Sequence, residues 1–518
     1  MSLMTSGRSR RLSRLGAVAV VAVVVAAGFG LGGGFAAGPS ALPEPEPSAS
    51  APSELAFVSP VPASPPPPPV PALTPELEVL QQTLTSIVTS PDFATASPSV
   101  AVAVRDDQGR RVVDVNSDMA LLPASTMKLL VAAVAMQTYG PEHRITTSVV
   151  STLPVDSFGY LNGDLVLQGS GDPVLATDVY GVHVYPSRPR TRLEDLADAV
   201  AASGVKWIAG NVIGDGTGWG GQPLAPGWRD VYLSDHDARY ITPLTVDSGL
   251  TVDVTIPDSG EVEVVLHLAE DPAARAAGEF VRLLRQRGIH VTGVGMGTET
   301  PVEASYPVAD VQSPPLRDLL RFMVQRSDNH LADTLLRHLG HELGGDGTWE
   351  GAGQVVRATL FEMGVDVAGV TIVDGSGLSR DDRVTAAALA DLDAAMARTP
   401  HADEWAGLMA VSGESGTLRR RLAGTHGHGR FYGKTGTLDD VKAVAGFVTD
   451  DGERLHLSVL ANDLAGGDRW TVIVLMDELA LRLVEYADGC RREATGEPAE
   501  ASAPPIVTPY ELVCAASG

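Results

Sequence analysis

Lysine is nearly missing from this chain of 518 residues: Lys128, Lys206, Lys434 and Lys442 stand against 34 arginines. Arginine is the default cation, so a lysine set in an apolar segment reads as chosen, because arginine cannot give up its proton in a protein. Cysteine is scarcer still, with only Cys490 and Cys514. Neither has the spacing of a metal site or the look of a catalytic thiol. In an oxidising compartment they could close a loop of about 25 residues as a disulfide worth roughly 3–4 kcal/mol; two free thiols are the alternative. Positive charge is also in short supply. The formal net charge is −26, with the acid excess spread along the chain, which argues against nucleic acid as a partner. No internal repeat, nucleotide-binding signature or metal-ligand cluster stands out, so no cofactor and no metal are expected.

What is present divides the chain. Arg8, Arg10, Arg11 and Arg14 precede an apolar run from Leu15 to Leu31. By charge and order, residues 1–38 are an export signal or membrane anchor. The run lies between a signal-peptide core and a full span, and Ala36-Ala37 is the nearest small-residue cleavage site, so cleavage stays open. The remaining chain is expected outside the cytoplasm, secreted or tethered to the outer face of the membrane. Residues 39–73 are rich in Pro, Ala and Ser, too poor in apolar surface to fold, and read as an extended spacer. Strand patterns over 99–104 and 111–115, and again over 433–435, 442–448 and 455–460, suggest one antiparallel five-stranded sheet. Helices over 75–88, after Ser125 and over 468–486 would flank it, an α/β (α+β) fold. This unit takes up 74–147 and 304–490, interrupted by a mixed, strand-rich inserted region over 148–303; 491–518 is a C-terminal tail.

Leu122-Pro123-Ala124-Ser125-Thr126-Met127-Lys128 opens an apolar, proline-free run to Met136 that reads as a buried helix. Ser125 falls in its first turn and Lys128 three places later, on the same face. A serine hydroxyl is a weak nucleophile until a base takes its proton. Desolvation and the positive end of the helix dipole both favour the neutral amine that could take it. Ser327-Asp328-Asn329 follows at a helix edge, and Lys434-Thr435-Gly436-Thr437 lies on a strand. Together and in this order, Ser-x-x-Lys, Ser-Asp-Asn and Lys-Thr-Gly are the joint signature of penicillin-binding proteins and class A β-lactamases. Acyl transfer gives each residue a role. Ser125 attacks a carbonyl with Lys128 as base; Ser327 relays a proton to the leaving nitrogen; Asn329 orients Lys128 and the substrate amide. Lys434 and Thr435 meet a substrate carboxylate. The N–H groups of Ser125 and Thr437 form the oxyanion hole. Gly436 leaves the strand edge clear for substrate, and Leu438 sits at the edge of the same cleft.

The chain resembles the D-alanyl-D-alanine carboxypeptidase/endopeptidase family, the low-molecular-mass class C penicillin-binding proteins. Ser327 follows Ser125 by 202 positions, more than a single-domain β-lactamase allows, and in that family an extra region is inserted there. Gly169-Ser170-Gly171-Asp172-Pro173, Ser313-Pro314-Pro315-Leu316, Asp374-Gly375-Ser376-Gly377-Leu378-Ser379-Arg380 and Ser415-Gly416-Thr417-Leu418 are similar to family stretches; the likeness spans about residues 74 to 488. It implies a penicillin-binding, β-lactamase-like transpeptidase domain. It also implies peptidoglycan stem peptides ending in D-Ala-D-Ala as substrate, and β-lactams as inhibitors that acylate Ser125. In the family an inserted-domain aspartate and the arginine of the Ser-Gly-Leu-Ser-Arg stretch hold the substrate's diaminopimelate side chain; Arg380 matches the arginine, Asp172 more loosely the aspartate. Asp382 departs from the asparagine more usual there.

Two other readings compete. A class A β-lactamase needs a deacylating Glu-x-x-Leu-Asn, and no such stretch occurs between Asn329 and Lys434. A catalytically idle wall-binding protein would not need every motif residue intact. His426 and His428 read as an exposed glycine-rich loop without a nearby carboxylate. Trp219, Trp228 and Trp405 read as core or cleft packing, and Asp439-Asp440 as a hairpin turn with room for a substrate amine.

Overall fold

The computed structural model describes residues 72–255, 262–298, 302–304, 306–450, 453–464, 468–494 and 510–514. The N-terminal segment, nearly all of the spacer and part of the tail lie outside them. Among the described residues no helix is long and apolar enough to cross a membrane.

The central sheet has six strands, not five. Its order is Ala410–Val411, Phe431–Leu438, Val441–Asp450, Glu453–Asn462, Ser99–Asp106 and Arg111–Val115, antiparallel throughout. The sixth strand has two residues, too few for a period-2 pattern to show. The alternation of valine and alanine in Ser99–Asp106 sorts the two faces. Val100, Val102 and Val104 pack with Leu77, Leu84, Leu475 and Leu479 of the first and last long helices, Pro75–Val88 and Arg469–Ala487. Ala101 and Ala103 pack on the other side with Met127, Val131 and Leu389. Small residues on that face let the Ser125 helix come close to the sheet.

The Ser125 helix, Met127–Tyr139, is buried at every position from Met127 to Met136. A helix apolar all round must be enclosed, and helices Leu316–Arg326, Asn329–Glu342, Trp349–Glu362 and Ala386–Ala397 pack against it.

The inserted region carries a second sheet, ordered Gly295–Thr298, Val212–Asp215, Leu165–Gln168, Thr146–Ser151 and Tyr306–Gln312. Its entering and leaving strands, Thr146–Ser151 and Tyr306–Gln312, pair with each other. The sheet therefore begins and ends a few residues outside the expected 148–303. Helices Leu193–Ala202 and Pro272–Gln286 cover it around Leu196, Phe280 and Leu284. Past the last helix, Cys490 and Cys514 are disulfide-bonded and join strands Cys490–Ala494 and Tyr510–Cys514, so the start of the C-terminal tail is paired with a strand near its end.

Candidate active site

Ser125 occupies a short 3-10 turn, Ala124–Thr126, that runs straight into the buried helix. Ala124 takes φ 46°, a strained value for a residue with a Cβ. Two glycines let the chain press against this turn. A Cβ on Gly377 would lie 1.9 Å from the Ala124 carbonyl oxygen, and one on Gly436 would lie 2.7 Å from that of Pro123. Gly436 therefore seats the nucleophile's own turn against the strand, a demand distinct from the expected clearance for substrate.

Lys128 lies within reach of three oxygens: Ser125 Oγ at 2.9 Å, Asn329 Oδ1 at 2.8 Å and the Ser376 carbonyl at 2.7 Å. The amide and backbone carbonyls can only accept. They take two N–H bonds, so in the neutral amine the lone pair is left for the Ser125 hydroxyl. Lys128 has no exposed surface. Burial pulls its amine down to about 8, against the opposing charges of Asp333, Asp374, Asp328 and Asp237.

Ser327 ends helix Leu316–Arg326 in the left-handed conformation, φ 60° and ψ 42°, which aims it away from the helix axis. Its Oγ accepts from Lys434 Nζ at 3.0 Å, and Lys434 also donates to the Thr435 carbonyl at 2.7 Å. Burial, and then the charge of Lys128, press Lys434 well toward its neutral form; a carboxylate against it works in the opposite direction. Asp328 caps helix Asn329–Glu342 by accepting from Leu331 N at 2.9 Å, and Arg188 of the inserted region lies 3.4 Å from its other oxygen. Asn329 donates to the Asp237 carbonyl at 3.1 Å. The inserted region thus reaches the Ser-Asp-Asn loop at two points.

Strand Phe431–Leu438 is flanked by Ala410–Val411 only opposite Tyr432 and Gly433. From Lys434 to Leu438 its outer edge carries no strand among the described residues, leaving backbone groups free to pair with an extended chain. Thr437 is exposed and accepts from Lys442 Nζ at 3.1 Å.

The structure brings Ser125, Lys128, Ser327, Asn329, Lys434, Thr435, Gly436 and Thr437 together. Leu438 is instead 8% exposed and packs with Leu122, Ala124, Tyr232 and Leu378, so its side chain supports the cleft from beneath. Asp172 is 3% exposed and bonds Val174 N and Thr191 Oγ1. Both partners belong to the inserted region, and burial raises its carboxyl to about 6. It does not present a carboxylate to the cleft. Arg380 makes two bonds to Asp440, of 2.8 and 2.7 Å, and Arg229 lies 3.3 Å from Asp439; the expected turn acidics are partners of arginines. His426 Nε2 lies 3.0 Å from Glu485 Oε1, so this half-buried histidine does have a carboxylate beside it, whereas His428 is exposed. Trp405 is buried and donates to Asp393, while Trp228 donates to Asp374 at 2.7 Å. Sequence reasoning missed Asp333 and the Ser376 carbonyl. The available signal was the spacing of Asn329 and Asp333, four apart on one helix face.

A serine and a buried lysine of lowered basicity at the start of one enclosed helix, faced by a second serine–lysine pair and an open strand edge, define a penicillin-recognising acyl transferase. Comparison with known proteins gives the particular family. The family model described as D-Ala-D-Ala carboxypeptidase 3 (S13) matches residues 80–265 and 248–483, and the chain belongs to this family. It is 29% identical to a D-alanyl-D-alanine carboxypeptidase of Actinomadura sp. (strain R39), over 79% of this chain and 85% of that one. It is 30% identical to carboxypeptidase DacB of Mycolicibacterium smegmatis, over 78% and 84%. The fold matches penicillin binding protein 4 of Haemophilus influenzae with a TM-score of 0.64, at 21% identity, covering 77% of this chain and 99% of that one.

Proposed function

We propose that this protein is a serine-type D-Ala-D-Ala carboxypeptidase, with DD-endopeptidase action on cross-links, and that it works on peptidoglycan outside the cytoplasm. The observation that carries the reading is the pair of acceptor-only oxygens on Lys128, which leave its lone pair for Ser125.

The stem peptide lies along Lys434–Leu438 as an added strand, its terminal carboxylate against Lys434 and Thr435. The Ser125 Oγ–H bond breaks toward Lys128 Nζ as Oγ bonds the D-Ala carbonyl carbon. The N–H groups of Ser125 and Thr437 receive the developing oxyanion. A proton passes through Ser327 to the leaving nitrogen, the C–N bond breaks and D-alanine departs. Water then cleaves the ester on Ser125. A β-lactam enters the same path but leaves an ester that turns over slowly, because no deacylating Glu-x-x-Leu-Asn stretch follows Asn329.

The extracytoplasmic placement rests on the arginines and apolar run of residues 8–31, and a membrane tether through that segment belongs to the same proposal. Incubation with monomeric and cross-linked muropeptides tests the function. Free D-alanine from the first and new monomers from the second are expected, and Ser125→Ala should abolish both. Release by Ser125→Ala at the native rate would sink the reading.

A further inference from the structure

Three aspartates with no part in the steps above are buried behind Lys128: Asp333 is 1% exposed, and Asp374 and Asp382 have no exposed surface. Their acceptor oxygens shape the loop from Val373 to Ser379. Asp382 Oδ1 accepts from Val373 N at 2.8 Å and Asp374 N at 3.3 Å. Asp333 Oδ1 accepts from Gly375 N at 2.9 Å and Ser376 N at 2.8 Å. Asp374 accepts from Gly377 N at 2.5 Å, and from Ser379 N and Trp228 Nε1 at 2.7 Å each. The result of this bonding is the Ser376 carbonyl, fixed 2.7 Å from Lys128 Nζ.

The three carboxyls are not equivalent: burial and the neighbouring Asp374 push Asp333 well up, while Lys128 and the N–H groups of Gly375 and Ser376 pull it back toward its charged form. Both oxygens of Asp374 face N–H donors, the surroundings of a carboxylate. Asp382 Oδ2 is buried and accepts from no N–H or O–H group, which an ionised oxygen does not tolerate, while its side chain shares a hydrogen bond with Asp374. Burial and the neighbouring Asp374 push the Asp382 carboxyl well up, so it keeps its proton. In that form it has the shape and polarity of asparagine.

We propose that Asp333 and Asp374 are positioning residues of the acyl-transfer reaction, holding the Ser376 carbonyl on Lys128 and stabilising the ammonium formed as it takes the Ser125 proton, while Asp382 serves as a neutral, asparagine-like hydrogen-bonding group. The inference rests on the acyl-transfer reading. The step balances within the site: the proton lost by Ser125 Oγ becomes the third proton on Lys128 Nζ. The charges facing that nitrogen are Asp333 and Asp328 from helix Asn329–Glu342 and its cap, Asp374 from the loop, Asp237 from the inserted region and Lys434 from the strand. Replacing Asp333 by asparagine keeps an acceptor for the two N–H groups and removes the largest of the charges that hold the proton on Lys128. An ammonium with less opposing charge loses its proton at lower pH.

The test measures the rate constant of benzylpenicillin acylation against pH, with thermal melting in parallel, for the full chain and for Asp333→Asn, Asp374→Asn and Asp382→Asn. The two positioning variants should still be acylated at Ser125. Their acid limb should move to lower pH and their maximum rate fall tenfold or more, because the amine is a weaker base. Asp382→Asn should keep the native limb and a rate within twofold. An unmoved limb in Asp333→Asn, even with a lowered melting temperature, overturns the inference, as does an Asp382→Asn limb that moves equally. Asp374→Asn decides the matter alone should Asp333→Asn fail to fold. Failure of the native chain to acylate at Ser125 would instead defeat the acyl-transfer reading itself.

Discussion

Gly436→Ala isolates the seat of the nucleophile from its chemistry. The new Cβ would lie 2.7 Å from the Pro123 carbonyl oxygen, 3.0 Å from Ala443 Cβ and 3.1 Å from Ala124 Cβ. Each neighbour is backbone or the first atom of a short side chain, so none can swing aside. To restore ordinary contact near 3.4 Å, the Pro123–Ala124 segment must retreat by about 0.7 Å, and Ser125 follows in the chain. Overpacking of this kind costs roughly 1–3 kcal/mol of stability. A misplacement approaching 1 Å costs about 10²-fold in rate. The acylation rate with a fluorescent penicillin should thus fall on the order of a hundredfold, while the protein still melts cooperatively at a lower temperature. Gly278→Ala is the control: it sits in helix Pro272–Gln286 with nothing within 4 Å of its Cβ. It should leave the rate unchanged and add about 0.5–1 kcal/mol of stability. A Gly436→Ala protein acylated within twofold of the native rate would refute the packing argument.

Since burial brings Lys128 to about 8 and the base must be neutral, kcat/KM for D-alanine release should rise through an acid limb near pH 8; a flat profile from pH 6 to 9 would contradict this. His456 is buried between Asp393, at 2.7 Å, and Asp107, at 3.0 Å. Burial lowers its proton affinity, but the two carboxylates outweigh that and the net shift is upward. Its contribution to stability is then complete below the ordinary histidine value and fades as pH climbs through the raised folded value. Denaturant unfolding should show this loss in the native chain and not in His456→Gln, which should be less stable by on the order of 3 kcal/mol at pH 6. Asp440→Asn frees Arg380 from its partner. The surface pair contributes at most about 1 kcal/mol to stability, so melting should barely change, while KM should fall for stem peptides with a carboxylate on the third residue; an unchanged KM would remove Arg380 from substrate binding.

The apolar run after Ser125 was legible because a helix buried on every side has no polar face to confuse its reading, and the spacing of Ser125 and Lys128 set their contact by helix geometry alone. Val-Ala alternation made strand Ser99–Asp106 equally clear. The loop carboxylates were not legible. Asp333, Asp374 and Asp382 act through backbone N–H groups of Val373 to Ser379, and a loop closed by such bonds has no period to detect. Asp172 was matched only loosely to the family aspartate, and a motif match does not report burial: Thr191 and Val174 hold its carboxyl inside the inserted region. Leu438 lies on the edge strand with its side chain packed on Leu122, Ala124 and Leu378; strand alternation says which residues share a face, not which face is open.

The central claim is that one hydroxyl, Ser125, carries the acyl group and that Lys128 frees it. Peptide mapping by mass spectrometry after exposure to benzylpenicillin tests this directly. The account predicts one drug molecule on the peptide containing Ser125, none in Ser125→Ala, and a rate reduced by at least a thousandfold in Lys128→Met, about 4 kcal/mol of lost activation. Labelling at another residue, or unchanged labelling of Lys128→Met, would contradict it.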